Sequence, residues 1–461
     1  MGYNLSVPDI SRIKAAFRRL CNNLTGLFIR YDRLALAGFI LIILLGAAAR
    51  LWAAPLSATE DVAQFWSFAQ LFKEHGLDFY RYSSGTEPIN PMVGWGFVYP
   101  PVWLLILGLA LAVVPAALAG ANFVDTAWRL AMKTPIITAD IVIGIVLFMA
   151  VPGSRWRKLI FASLWLLNPA AWYESAVFGQ FDAIAAAFLL GALILFERGH
   201  DRWAFGVAAL AVLTKQHTLL PVLFMTAAVI RTMPWRRMAG NLVIFGSVIA
   251  IISLPFMITG AATEYVRAVL LPGQYPTYQY PILYSFSGSG ALVTYLHDTF
   301  GWDNAGWLQI NTPLLAATVA GGLAITWFKK ITPLRAMLVG ILLFIAIFYR
   351  INYQYLIIFI PLAILAASRT KYLSERVISL GLALVPAIWL WLFKVSFWFN
   401  LMSPVFPNVE PLFERIGWNH IGLPDHYYVI LALSIMLLAL AYVIYTFTRW
   451  RLPSESTSNI E

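Results

Sequence analysis

The stretch LALAGFILIILLGAAARLWAA, residues 34–54, decides the fold class because it is long and apolar enough to cross a membrane. A helix rises about 1.5 Å per residue, so roughly 20 residues span a hydrocarbon core about 30 Å thick. SATEDVAQFW, residues 57–66, follows almost at once and puts the adjacent acids Glu60 and Asp61 at the predicted membrane edge.

The 461-residue chain as a whole is 60% hydrophobic and 12% charged, with a mean hydropathy of +0.75. A typical soluble domain carries about twice that charged fraction. No cleavable signal peptide is expected, because residues 1–33 are polar and basic and lack an apolar core. A lone Cys21 excludes an intramolecular disulfide. We therefore predict an all-α polytopic membrane protein.

The net charge of +10 is explained by topology rather than by nucleic acid. Lys and Arg cluster in short breaks between apolar runs, which is typical of cytoplasmic loops. These breaks are residues 12–33, 155–158, 198–202, 231–237, 329–335, 369–376 and 449–451. No nucleic-acid partner is expected.

A basic N-terminus on the inside gives about twelve transmembrane helices with both termini cytoplasmic. The predicted spans are residues 34–54, 135–151, 159–171, 183–196, 238–258, 307–328, 333–348, 356–367, 377–396 and 427–447, plus a hairpin of two half-length helices within 202–231 whose tip is 214–217. The predicted regions are a cytoplasmic segment 1–33, a module 34–258 with an outer loop 55–134, a module 259–447 and a cytoplasmic tail 448–461.

The apolar run at residues 98–119 is the ambiguous one. Counted as a crossing, it would move later basic loops to the wrong face, so we interpret it as a juxtamembrane or re-entrant helix entered at Pro100-Pro101. An ordinary span that violates the charge bias is the alternative, since that bias is statistical.

Glu60 and Asp61 open a stretch with apolar residues at helical spacing. Acids at a helix start can serve only as caps or as partners of the helix dipole. A carboxylate at the membrane surface can also remove a proton from a hydroxyl whose reaction partner is held in lipid. Both acids are therefore candidate catalytic residues.

Four cations, Lys215, His217, Arg267 and Arg350, lie at or near the outer ends of separate predicted helices. Any one of them could snorkel to the lipid headgroups. Convergence from four segments favours an anion at the outer surface, such as a lipid phosphate.

Arg129 and Lys133 precede the predicted span 135–151, and Asp140 lies inside it. A carboxylate at membrane depth is costly. We expect Asp140 to pair with Lys133 or Arg129 in a structural role.

Two outer segments combine aromatic and polar residues. GWGFVYPP, residues 94–101, contains Tyr99 and can be an interfacial anchor. FGQFD, residues 178–182, contains Gln180 and ends at Asp182, which can cap the following helix.

Taken in order, these stretches resemble the GT-C glycosyltransferases, membrane enzymes that take a sugar from a polyprenyl- or dolichyl-phosphate donor. The matching stretches are DVxxFxxFA at 61–69, WGxxYPP at 95–101, MK at 132–133 with Asp140, FGQFD at 178–182 and TKQ at 214–216. The order holds from Asp61 to about Pro221, and more loosely to NYQY at 352–355. The chain departs from the family's pattern at two places. In FGQFD, Phe178 stands where the family's motif usually has Trp. At 352–354 the chain lacks the His-Glu-Arg run that one branch of the family carries there.

The resemblance implies a GT-C-like fold with juxtamembrane helices in the first extracytoplasmic loop. It implies inverting transfer of a hexose, mannose or glucose, from a polyprenyl-phosphate donor to a lipid-linked or other glycan acceptor on the extracytoplasmic face of a prokaryotic plasma membrane. Asp61 would be the general base, whereas alignment on Ala63-Gln64 moves that role to Glu60. Residues implied in binding the donor phosphate or substrate are Tyr99, Arg129, Lys133, Gln180, Asp182, Lys215, Gln216, His217, Arg267 and Arg350. No cofactor is required, and a divalent metal is compatible but not indicated.

A transporter or flippase for lipid-linked sugars is the alternative from another class. Transporters keep key charges near the membrane midplane, on broken helices related by an internal repeat. This sequence concentrates its unusual polar residues in outer loops and shows no such repeat, which favours an enzyme.

Overall fold

The computed structural model describes residues 10–57, 59–91, 93–114, 125–271, 289–391 and 425–449, without the side chains of 10–31, Glu60, 389–391 and Asp425. These residues form helices and connecting turns, with no strand among them, so the all-α prediction is confirmed for this part of the chain. Its 17 α-helices are α1 Ile10–Ala53, α2 Glu60–His75, α3 Pro101–Val113, α4 Thr126–Ala150, α5 Arg155–Leu166, α6 Pro169–Trp172, α7 Asp182–Glu197, α8 Asp201–Thr214, α9 Leu219–Val229, α10 Trp235–Ile258, α11 Ala262–Leu270, α12 Ser289–Phe300, α13 Ala305–Phe328, α14 Pro333–Ile347, α15 Leu356–Arg369, α16 Leu373–Leu384 and α17 Asp425–Thr448.

Five stretches of helix are long and apolar enough to cross a membrane: Asp32–Leu56, Thr126–Ala150, Trp235–Ile258, Ala305–Phe328 and His426–Thr448. Shorter apolar helices accompany them at Pro101–Val113, Gln216–Val229, Pro333–Ile347 and Tyr353–Arg369. This composition identifies an integral membrane protein. The count of about twelve spans stays a prediction.

Helix α4 begins earlier than predicted, at Thr126 instead of Pro135. Asp125 caps it, since its side chain accepts a hydrogen bond of 2.7 Å from the Ala127 N–H. Pro135 lies inside the helix. The last nine residues of the predicted outer loop 55–134 are therefore helical, and Arg129 and Lys133 share a helix with Asp140.

The chain breaks at 214–218, at the expected tip of the hairpin predicted within residues 202–231, but the helices on either side do not pack as a hairpin. Lys215 has an extended backbone between α8 and a 3-10 turn, Gln216–Thr218, from which α9 begins. The two helices are not packed side by side along their length. Instead α8 packs on α7 and α10, while α9 packs on α14 and α13.

At one end of the bundle, here called the basic end, arginines from the basic breaks form hydrogen bonds and ion pairs with other segments. Arg369 donates to both carboxylate oxygens of Glu197, at 2.6 and 2.9 Å. Arg335 grips Glu375 in the same bidentate way, at 2.7 and 2.6 Å. Further contacts join Arg237 to Asp201, Arg157 to the Ser368 carbonyl and Arg231 to the Trp327 carbonyl.

The opposite end, here called the site end, contains the C-terminus of α1 and the start of α4. Lys133 on α4 contacts the Ala54 carbonyl just after α1 ends, whereas α4 finishes close to Arg155 at the basic end. The chain therefore leaves α1 and enters α4 at the same end, as expected if residues 98–119 are not a single crossing. Within that run α3 has 13 residues, about 20 Å of helix, and 115–119 lie outside the described residues.

The buried centre is formed by α7, α14 and α15. On α15 every residue from Leu356 to Ser368 is buried. Helix α16 and a 3-10 segment, Val385–Trp391, cover part of the predicted span 377–396. The rest of that span, residues 392–396, lies outside the described residues. The same holds for residues 397–424 of the outer segment, for residues 1–9 and for the tail residues 450–461.

Candidate functional site

Asp61 is held at the start of α2. Thr59 is the N-cap of this helix, and its hydroxyl accepts the Val62 N–H at 3.3 Å, so capping requires neither acid. The half-buried Asp61 carboxylate accepts a hydrogen bond of 2.5 Å from the Gln180 side-chain amide. Gln180 thereby fixes the direction of one carboxylate oxygen. Glu60 is the first residue of α2, and its side chain lies outside the described part of the structure.

The segment before Asp61 is joined to a π-helical turn, Tyr173–Phe178. The Ser57 hydroxyl donates to the Val177 carbonyl at 2.7 Å, and the Thr59 hydroxyl donates to the Phe178 carbonyl at 2.8 Å. Residues 57, 59 and 61 thus pair in order with 177, 178 and 180. Such single-turn π segments frequently occur at functional sites.

Gly179 ends this turn with φ +82°, a conformation that side chains with a Cβ rarely adopt. A Cβ added there would lie 2.9 Å from Met132 Cε and 3.1 Å from Val62 Cγ2. The glycine of FGQFD is therefore required both by backbone conformation and by close packing under Asp61.

Lys133 stabilises the segment before α2 and the π turn through buried hydrogen bonds. Its fully buried ammonium donates to the Ala54, Ser57 and Val177 carbonyls at 3.1, 3.0 and 3.0 Å and to the Ser57 hydroxyl at 2.6 Å. Four oxygens occupy its three N–H groups. Lys133 therefore has no N–H group left to donate to an anion.

Lys215 and Asp182 form a buried ion pair at 2.5 Å, with side chains 1% and 0% exposed. Asp182 is the first residue of α7, and Phe181 stands at the N-cap position, so Asp182 is a partner of Lys215 rather than the predicted cap. Three rings surround the ammonium: Phe181 at 4.5 Å, Tyr355 at 5.0 Å and Tyr99 at 5.4 Å from the ring centres. A cation over an aromatic ring is stabilised by the partial negative charge on the face of the ring.

Two further cations are buried at the site end. Arg350 lies over the ring of Trp95, with its guanidinium carbon 4.9 Å from the ring centre. Arg129 donates to the Thr126 hydroxyl at 3.1 Å, and its buried Nη1 has no hydrogen-bond partner. Guanidinium groups are well suited to bind phosphate oxygens.

Glu174 is the residue that sequence reasoning missed. It lies in the π turn, 2% exposed, and neither carboxylate oxygen has a hydrogen-bond partner. Burial raises the pKa of its carboxyl well above the ordinary value, as does the nearby Asp182 carboxylate, while Lys215 opposes the shift. The sequence did contain a signal for Glu174, because this acid lies in the same predicted outer segment as FGQFD.

The loop 94–101 packs onto the same end. The Gln216 side-chain amide donates to the Val98 carbonyl at 3.0 Å, and the Tyr80 hydroxyl donates to the Tyr99 carbonyl at 2.9 Å. Gln64 holds the Trp95 carbonyl at 2.6 Å. The FGQFD, TKQ and WGxxYPP stretches therefore meet, although they are far apart in sequence.

Other predicted site residues are placed differently. His217 stacks on Phe344, with ring centres 5.2 Å apart, and lies 4.6 Å from the ring of Tyr355. Arg267 is exposed on α11, which packs against α10 and the turn Gly76–Tyr82.

The expected partner of Asp140 was wrong. Asp140 accepts from Arg50 Nε at 2.7 Å, not from Lys133 or Arg129. Arg50 lies inside the first apolar run and also donates to the Leu166 carbonyl at 2.9 Å. Lys133 and Arg129 lie toward the start of α4, where other oxygens engage them. An arginine within an apolar run was the signal for a buried partner.

No group of three or more His, Cys, Asp or Glu is arranged to hold a metal ion within the described ranges. A cavity of about 340 Å³ lies at the basic end, lined by residues that include Asp201, Arg202, Trp203 and Arg237. The ion pair between Arg237 and Asp201 accounts for its principal charges.

No model of a known protein family matches the chain, and no curated protein sequence matches it significantly. Among solved structures, the chain is similar to ArnT from Cupriavidus metallidurans, in a crystal structure bound to undecaprenyl phosphate. The two are 16% identical with a TM-score of 0.38, over 89% of this chain and 77% of that chain. A likeness this weak fixes neither the fold nor the activity of this chain.

Proposed function

We propose that this protein is a membrane glycosyltransferase of the GT-C type, which transfers a hexose from a polyprenyl-phosphate donor to an acceptor hydroxyl. One observation carries the proposal: Asp61, held by Gln180 at 2.5 Å, lies among buried cations and acids at one end of the bundle. A base and a set of anion-binding groups are what sugar transfer from a lipid phosphate needs.

Asp61 takes the proton of the acceptor hydroxyl in this mechanism. The acceptor oxygen forms a bond to the anomeric carbon as the bond from that carbon to the phosphate oxygen breaks, so the configuration inverts. The electron pair of the breaking bond stays with the departing lipid phosphate. The buried side chains around the site limit the access of bulk water to the reacting groups.

Arg129 and Arg350 bind the departing phosphate, and Lys215, paired with Asp182, is a further cation at the same end of the bundle. The unpartnered Nη1 of Arg129 and the position of Arg350 above Trp95 support this assignment. Charge-assisted hydrogen bonds from guanidinium groups suit phosphate geometry. The hexose, taken to be mannose or glucose, and the acceptor are proposed from the sequence resemblance alone.

The proposal is tested with purified protein in detergent. Undecaprenyl phosphate carrying mannose or glucose is supplied with a panel of lipid-linked glycan acceptors, and mass spectrometry follows the released undecaprenyl phosphate and the extended acceptor. We expect release to require an acceptor and the product anomer to be inverted. Retained configuration, or no release from either donor with any acceptor, contradicts the proposal.

A flippase for lipid-linked sugars is the second candidate, favoured by the break at Lys215 between α8 and α9. Broken helices line the binding sites of many transporters. A flippase would move the donor between the leaflets of a proteoliposome and leave its sugar attached, so the same mass analysis separates the two.

A further inference from the structure

The site end contains several buried oxygen atoms that accept no hydrogen bond. They are both carboxylate oxygens of Glu174, Oδ1 of Asp182, Oε1 of Gln180 and Oε1 of Gln216. A buried polar atom left unpaired costs roughly 1–3 kcal/mol, so several together call for an explanation. All of these side-chain atoms are acceptors, and a ligand that satisfied them would have to bring hydrogen-bond donors.

Three of these residues are close neighbours. The Gln180 N–H donates to the Glu174 carbonyl at 2.8 Å, and the charges of Asp182 and Asp61 both act on the Glu174 carboxyl. Gln216 directly follows Lys215, the partner of Asp182. These unpaired oxygens therefore lie around the base and the buried ion pair, while others, such as Oδ1 of Asp140, lie elsewhere in the bundle.

Hydroxyl groups are the donors that fit this arrangement. An ammonium ligand would find Lys215 already paired with Asp182. A sugar ring offers several O–H donors, each also able to accept.

We propose that Glu174 binds one hydroxyl of the donor's sugar and selects for donors that carry it. This inference rests on the proposed function, because it assigns a sugar to the same site. Glu174 suits the task geometrically, since the residue is only 2% exposed and neither carboxyl oxygen has a hydrogen-bond partner. Each of its two oxygens can accept a hydrogen bond from a sugar hydroxyl.

The test measures binding, which does not depend on transfer. Affinities for bare undecaprenyl phosphate and for the hexose-bearing lipid are compared in the wild type, Glu174→Met and Glu174→Gln. We expect the wild type to bind the hexose-bearing lipid more tightly, and Glu174→Met to lose that gain, roughly ten- to a hundredfold, with unchanged affinity for the bare lipid. Glu174→Gln keeps most of the gain, because its amide oxygen can also accept a hydrogen bond from the hydroxyl.

Mono-deoxy donors then identify the hydroxyl. The penalty of Glu174→Met should vanish for one deoxy position and persist for the others. An equal penalty at every position, or wild-type affinity in Glu174→Met, overturns the inference. A further readout is thermal unfolding without ligand: Glu174→Met should unfold at the same or a higher temperature, and a clear fall would mean that Glu174 serves the fold.

Failure of the two proposals can be told apart. If the sugar-dependent gain is present and lost in Glu174→Met, but the wild type transfers no sugar, the transferase proposal falls and Glu174 remains a sugar-binding residue. If transfer occurs and Glu174→Met binds normally, only the inference falls. If the sugar adds no affinity in the wild type, the inference is overturned directly.

Discussion

At the residue scale, the two adjacent acids of the first outer segment have different surroundings. Asp61 is oriented by Gln180, while Thr59 supplies the helix cap that could otherwise have explained both acids. The cations also separate into two kinds. The Lys133 ammonium donates hydrogen bonds to four oxygens, whereas Nη1 of Arg129 has no hydrogen-bond partner. Charge alone would not have distinguished them, because the difference lies in what each side chain contacts.

Arg129→Gln and Arg350→Gln should each weaken binding of undecaprenyl phosphate by roughly ten- to a hundredfold, the usual worth of a charge-assisted hydrogen bond. Arg369→Gln is the matched control, since its partner Glu197 lies at the basic end. The measurement is lipid affinity in detergent. Unchanged affinity in both site variants would remove these two residues from phosphate binding.

At the element scale, the π turn Tyr173–Phe178 organises the site. It receives hydrogen bonds from the segment before α2, carries Glu174, and passes through Gly179 to Gln180. The break between α8 and α9 positions Lys215, which pairs with Asp182. Irregular backbone at these two points therefore sets the positions of the polar side chains.

Gly179→Ala should reduce transfer at least tenfold and lower the unfolding temperature, because a Cβ would meet Met132 and Val62 and strain a positive φ. Gly240→Ala on α10 is the control: a Cβ there meets nothing within 4 Å, and alanine favours the helix. Thermal unfolding and sugar transfer are measured on both. Wild-type behaviour of Gly179→Ala would show that the turn tolerates another conformation.

The sequence was sufficient for most helices, because apolar runs of the right length are a strong local signal. It also singled out Asp61, Gln180, Asp182 and Lys215. Pairings such as that of Arg50 with Asp140 could not be predicted, since they depend on which helices become neighbours. The start of α4 was missed for a local reason: the Asp125 cap outweighed the usual preference of proline for a first turn.

At the scale of the whole molecule, the two ends differ in chemistry. The basic end is tied together by paired arginines, among them Arg335 with Glu375 and Arg369 with Glu197. The site end combines carboxyl groups, buried cations and aromatic rings. Because positive loops favour the cytoplasm, we expect the site end to face outward.

Single cysteines in a Cys21→Ser background test this orientation. Thr86 and His200 are exposed, the first in the loop after α2 and the second between α7 and α8. An impermeant thiol reagent added to intact cells should label Thr86→Cys and should reach His200→Cys only after the membrane is opened. The reverse pattern would place the site end in the cytoplasm.

The central claim is that Asp61 is the base for sugar transfer. The most direct measurement compares the initial rate of hexose transfer from undecaprenyl phosphate by the wild type, Asp61→Asn and Asp78→Asn, the last a matched change at a part-exposed site in the same outer segment. We predict that Asp61→Asn binds the donor and unfolds like the wild type but loses at least 100-fold in rate, the lower end of what a positioned base contributes. Asp78→Asn should keep its rate, and wild-type turnover by Asp61→Asn would contradict the account.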